Sequence, residues 1–203
     1  MTTAAMTDAA DARRATYRET SHRVTFGGAV RAEWIKLTSV RSIGWAIAIA
    51  VVITAGLGAL VTFATLATAP EGAIEQGLFQ EIPLASLGAS GLLVSQLVFA
   101  VLGVIAMTGE YGSGQIRSSL TAVPTRTPVL AAKALVLGLI AFVASAVALT
   151  IGMLATVGIA LAFGVEASTI DIDASVPFAV LAGAVSLALL TVFSLAIGTL
   201  VRS

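Results

Sequence analysis

The residues of this chain best suited to chemistry lie in one polar stretch, 109–133, GEYGSGQIRSSLTAVPTRTPVLAAK. It holds Glu110, Arg117, Arg126 and Lys133, four of the few charges beyond the N-terminal arm, and long apolar runs flank it on both sides. The residue types fit recognition rather than bond-making. Ser113 can cap a short helix, Ile116 and Leu120 fall four apart on one face of it, and Pro124 drives Val123 out of the α region. Thr127-Pro128 then reads as the N-cap and first residue of the next helix. A capped amphipathic helix between membrane spans has the shape of a docking element, although an ordinary connecting loop accounts for the same spacing.

No catalytic constellation accompanies it. The chain has one histidine, His22, in a polar arm, and no cysteine, which removes thiolate nucleophiles, thiolate metal sites and disulfides. There is no His-Glu-x-x-His pattern and no carboxylate pair within a pocket-forming stretch. Lys36 and Lys133 both lack the upstream glycines and following Ser/Thr that a phosphate cradle requires. Gly112-Ser113-Gly114 is explained better as a turn into the loop helix than as an anion nest. The chain is therefore expected to have no catalytic residue, metal or cofactor of its own. If ATP drives it, another chain binds the nucleotide.

The elements that must position this stretch follow from composition. Hydrophobic residues make up 58% and charged residues 11%, with a mean hydropathy of +1.01. Soluble domains run near a quarter charged, so the chain is a membrane protein. Four charge-free stretches, 42–70, 82–109, 134–165 and 174–201, are each longer than the roughly 20 residues a helix needs to cross the hydrocarbon core. None alternates as a barrel strand would. The expected fold is all-α, a polytopic transmembrane helical bundle with spans near 43–66, 88–108, 134–162 and 177–200.

Charge sets the orientation. Seven basic residues precede the first span, three (Arg117, Arg126, Lys133) lie in the middle loop and Arg202 lies at the end, which accounts for all 11. The other two loops carry six acids and no base. The N-terminus, middle loop and C-terminus are thus expected on the cytoplasmic side of the cell membrane. Residues 1–25 read as a disordered cytoplasmic arm, and 26–203 as the membrane domain. Within 26–42, Val30, Trp34 and Leu37 recur at helical spacing, with Arg31, Glu33, Lys36 and Arg41 on the polar sides. That pattern predicts an interfacial helix with Trp34 at headgroup depth, or else an extension of the first span. Ile74, Leu78 and Ile82 permit a short helix in the first outer loop.

The spans carry no Asp, Glu, Lys, Arg or His at membrane depth, which disfavours a proton-coupled secondary transporter. Gln96 falls near mid-span and is expected to hydrogen-bond across helices, with a substrate contact as the alternative. The hydroxyls and glycines along the spans read as packing.

Trp34-Ile35-Lys36-Leu37 with Arg41-Ser42 before a first span, then Gly109-Glu110-Tyr111, Gly114-Gln115-Ile116-Arg117 and Pro124-Thr125-Arg126 with Lys133, resemble permease subunits of bacterial ABC transporters of the type-2 exporter class. The resemblance covers the chain from about Phe26. It implies a permease in the lipid bilayer that pairs with a second copy or a homologue and with a separate cytosolic ATPase, and that has no nucleic-acid partner. It also implies that Glu110, Gln115, Ile116, Arg117 and Leu120 form the ATPase-coupling loop, and that Trp34, Lys36, Leu37 and Arg41 belong to the interfacial helix. Such permeases commonly have six spans, so two further apolar runs are expected beyond Ser203. The competing reading is a non-transporting multi-pass protein, an assembly or immunity factor acting by partner binding.

Overall fold

The structure, a computed structural model, describes residues 25–74, 76, 84–113, 126–167, 170 and 175–201. Its elements in chain order are α1 (Phe26–Ser39), α2 (Arg41–Ala67), α3 (Leu84–Ala89), α4 (Leu92–Ser113), α5 (Arg126–Ala162) and α6 (Ser175–Leu200). No strand occurs among the described residues. Four helical stretches, Arg41–Ala67, Ser86–Gly109, Thr127–Ala162 and Val176–Leu200, are long and apolar enough to cross a membrane. They are the four spans expected from the charge-free runs.

The long helices pack as a ring in which α5 lies beside α2 and α6, while α4 lies beside α6 and, more thinly, α2. Three buried clusters stack along this bundle. At one end Leu37 of α1 joins Leu102, Ala106, Met107, Val136, Leu137 and Leu195. In the middle, Ala50, Phe99, Ala141, Ala144 and Leu187 meet. At the far end Leu66, Ala160 and Val165 close the stack. The outward faces are apolar, with Trp45, Val52, Leu93, Phe178 and Leu189 among many exposed side chains. A surface of this kind needs hydrocarbon around it.

Helix ends explain the turns of the chain. Thr25 caps α1, its Oγ1 accepting from the Gly28 amide at 3.2 Å. Near the other end of α1 the hydroxyls of Thr38 and Ser39 donate to the Trp34 and Lys36 carbonyls, and Val40 turns to extended backbone (φ −84°, ψ 107°). That single residue makes α1 a separate helix folded onto α5 rather than an extension of α2. Gly164, at φ +87°, ends α5 with a paired reversal: its amide donates to the Leu161 carbonyl and the Val165 amide to that of Ala160. Val165 then packs against Ala160.

Two boundaries differ from expectation. Helix α4 includes Ser113, which therefore lies in helical backbone rather than in the extended backbone of an N-cap. Once a helix is nucleated, each further residue adds a hydrogen bond at low cost, and Gly109–Ser113 simply continues it. Helix α5 begins at Arg126, with Thr127 and Pro128 in its first turn, where proline's missing N–H is harmless. With 37 residues α5 is about 55 Å long, well beyond a hydrocarbon core of about 30 Å. Near its start, Lys133 lies against α1. The described part of the loop after α2, near Pro70–Ala73, is hydrogen-bonded turn. The arm 1–24 and the Leu78 and Ile82 positions lie outside the described residues.

Candidate functional site

The most unusual chemistry in the bundle is a buried carboxylate. Glu33, in the middle of α1, is 3% exposed and Lys133, near the start of α5, is 2% exposed. Lys133 Nζ donates to Glu33 Oε2 at 2.7 Å, and Lys36 Nζ, one helical turn along α1, donates to Glu33 Oε1 at 2.9 Å. Both carboxylate oxygens are thus charge-paired. Burial would raise the Glu33 carboxyl, but the hydrogen bonds and charges of Lys133 and Lys36 outweigh it and hold the group below its ordinary value.

Position on the helix explains who is buried. On α1, Val30, Glu33 and Leu37 face the bundle while Trp34 stays 46% exposed. Residues three and four apart are equally neighbours on a helix. The expected stripe Val30–Trp34–Leu37 is therefore rotated by one residue, because Glu33 has a cation to meet and Trp34 does not. Lys133 lies on the same stripe of α5 as the buried Val136, Leu137 and Ala141. Lys36 and Arg41 remain at the surface. Glu33 thus lies on the buried face of α1 and not on its polar sides with Arg31 and Arg41. The signal was a lone lysine in register with a buried apolar stripe, which demands an acid from another element.

Elsewhere buried polarity is met by hydroxyls. Ser95 Oγ donates to Thr54 Oγ1 at 2.7 Å, and Thr54 in turn donates to the Ala50 carbonyl, joining α4 to α2. The Thr62 and Thr156 hydroxyls bond at 3.0 Å between α2 and α5. No buried side-chain nitrogen or oxygen among the described residues lacks a partner. Among the described residues Gln96 makes no interhelical hydrogen bond. It is exposed on α4, and its neighbour Ser95 makes that bond instead. An apolar groove of about 670 Å³ between α5 and α6, lined by Ala146, Thr150, Leu154, Val157 and Leu181 among others, faces outward and offers one hydroxyl.

Of the coupling-loop residues, Glu110 lies in the last turn of α4 and its side chain is outside the described atoms. Gln115, Ile116, Arg117 and Leu120 lie outside the described residues. What the structure brings together is the two edges of that segment: the end of α4 and the start of α5 share the bundle end to which α1 is bound through Glu33.

Four apolar spans around stacked clusters, with an ion-paired helix clasped to one end, define a multi-pass α-helical membrane protein. Residues 29–203 match the model of the ABC-2 family transporter protein family, and the chain belongs to that family. It is a membrane subunit of the ABC transporter type. No curated protein and no solved structure matches it.

Proposed function

We propose that this chain is the permease subunit of an ATP-driven exporter in the cell membrane, coupled through its 109–133 segment to a separate cytosolic ATPase that binds the ATP. In this reading the chain binds no cofactor, pairs with a second copy or a homologue, and holds α1, the 109–133 segment and both termini on the cytoplasmic side. The observation that carries it is the Glu33–Lys133 pair. Lys133 closes the polar segment, and a buried charge-assisted bond of 2.7 Å joins it to α1, so a push on that segment reaches two elements at once. The basic residues crowd the same end of the sequence topology, which supports the orientation.

The test is the double substitution Ile116→Asp/Leu120→Asp. Each aliphatic side chain buried at a docking interface contributes about 1.5–3 kcal/mol before association costs, and the carboxylates would be forced into an apolar groove. ATPase capture and ATP hydrolysis by the complex should both fall sharply at unchanged permease abundance. Capture and hydrolysis equal to the parent's would leave the segment an idle connector and remove the coupling assignment.

A further inference from the structure

Charge is sorted onto the two sides of α1. Glu33 turns inward, where it holds Lys133 and Lys36. Arg31 is exposed on the outward side beside Trp34 and Ile35, three and four positions on, which are 46% and 55% exposed. Arg41, the first residue of α2, is exposed as well, and Trp45 one turn further on is 71% exposed. Each arginine thus has a tryptophan one helical turn away. Neither arginine forms an ion pair with a described residue.

Depth follows from the spans. Arg41 opens the first of them, Arg41–Ala67, so its guanidinium stands where hydrocarbon gives way to headgroups. Helix α1 is not among the helices apolar enough to cross, and the single extended residue Val40 joins it to Arg41. A further span packed on the hydrocarbon faces of the bundle would leave guanidinium groups at this boundary in the polar layer. The opposite ends of α2 and α5 are followed by Glu71 and Glu166 and have no tryptophan.

We infer that Arg31 with Trp34, and Arg41 with Trp45, form a docking surface for anionic phospholipids. The guanidinium groups take the lipid phosphates and the indoles lie among the headgroups. A planar fork of N–H donors matches a phosphate in shape and charge, and tryptophan rings favour headgroup depth. Charge complementarity selects the lipid. A zwitterionic headgroup brings its own ammonium with each phosphate, whereas an anionic one gains roughly fivefold in affinity from each surface cation. Ile35, exposed beside Arg31, adds apolar contact to the same lipid. Because Glu33 ties the inward side of α1 to Lys133, a bilayer that holds α1 also holds the start of α5.

The chain has two tryptophans, so each half of the surface can be read by itself. In the full chain, Trp45→Phe leaves Trp34 as the fluorophore and Trp34→Phe leaves Trp45. Each is reconstituted in phosphatidylcholine vesicles and quenched by brominated phosphatidylglycerol or, at the same mole fraction, brominated phosphatidylcholine. The anionic lipid should quench both tryptophans more strongly. Arg31→Gln should cut the preference seen by Trp34, and Arg41→Gln that seen by Trp45, each by up to roughly fivefold and each more than the other's. Both arginines are exposed, so these substitutions leave the packing intact. Equal quenching by the two lipids in the parent overturns the proposal, as does a preference that survives both arginine substitutions. Trp34 quenched by neither lipid also overturns it, since protein would then cover the outward side of α1. The quenching needs no ATPase. Unchanged ATPase capture by Ile116→Asp/Leu120→Asp would remove the coupling assignment and leave this surface standing.

Discussion

At the end of the bundle that carries α1, helices are joined through the Glu33 carboxylate and the Lys133 ammonium; towards the other end they are joined through hydroxyls and glycines. Glu33 reaches α5 from α1 with a long side chain. Gly91, by contrast, lies so near α2 that an added Cβ would collide with the Thr54 carbonyl oxygen, and a Cβ on Gly58 would meet the Gly88 carbonyl at 2.8 Å. The difference lies in how each attraction varies with distance. A Coulomb attraction in a low-dielectric site falls off slowly, so the charged end tolerates a shift of one helix against another. Packing against backbone atoms is lost within a fraction of an ångström and resists compression, so the glycine end fixes register.

The largest effect expected from breaking this contrast is at the pair itself. Lys133→Met leaves a buried carboxylate with Lys36 alone and should cost about 3–5 kcal/mol in a detergent or bilayer unfolding assay. Glu33→Leu/Lys133→Met removes the charges together and should recover most of that loss, since Lys36 reaches water. Two single losses that merely add would show that the groups do not depend on each other.

Next is the backbone contact between α4 and α6, where glycine packing also reaches the α1 end beside Leu102 and Leu195. A Cβ on Gly103 would overlap the Thr191 carbonyl oxygen and press on Ser194. Gly103→Ala should therefore destabilise by about 1–3 kcal/mol. Gly56→Ala, on a face with nothing within 4 Å, is the matched control and should gain about 0.5–1 kcal/mol from helix propensity alone. Similar values for both would mean that α4 and α6 are not held at glycine distance. Smaller again is Ser95→Ala, which removes the hydrogen bond to Thr54 at a cost of about 0.6 kcal/mol and at most about 1.7.

The membrane bundle was legible in the sequence because hydrocarbon forces a simple rule, about 20 apolar residues per crossing, and four runs obeyed it. The break between α1 and α2 was less so. Val40 is one β-branched residue in a pattern that fits a continuous helix equally well, and its extended backbone follows from how α1 docks on α5. Charge assignment by stretch puts Lys133 in the loop because it ignores helical phase. Its phase matches Val136 and Leu137, and Glu33 of α1 supplies an acid that makes burial affordable. Gln96 and Ser95 show the same limit on α4. Both are polar at mid-span, but which one turns inward depends on where Thr54 stands on α2.

The smallest expected effect concerns protons, and it separates a fixed charge pair from a shared proton at the α1 end. Glu33 is held below its ordinary value, about 4.3 for an unperturbed glutamate. The unfolded chain therefore binds a proton at Glu33 at a higher pH than the folded chain does. Stability then rises with pH only between the folded and unfolded values and is constant above them. The pair's contribution should be fully present between about pH 5.5 and 8, and should fade as the pH falls below about 4.3 and through the folded value. Other carboxylates also titrate in acid, so the useful quantity is the stability difference between the parent and Glu33→Gln. That difference should be flat across the neutral range and shrink in acid. A slope near neutrality would mean that a proton, rather than two opposite charges, sits between α1 and α5, and the charged end would then differ from the glycine end in pH sensitivity as well as in reach.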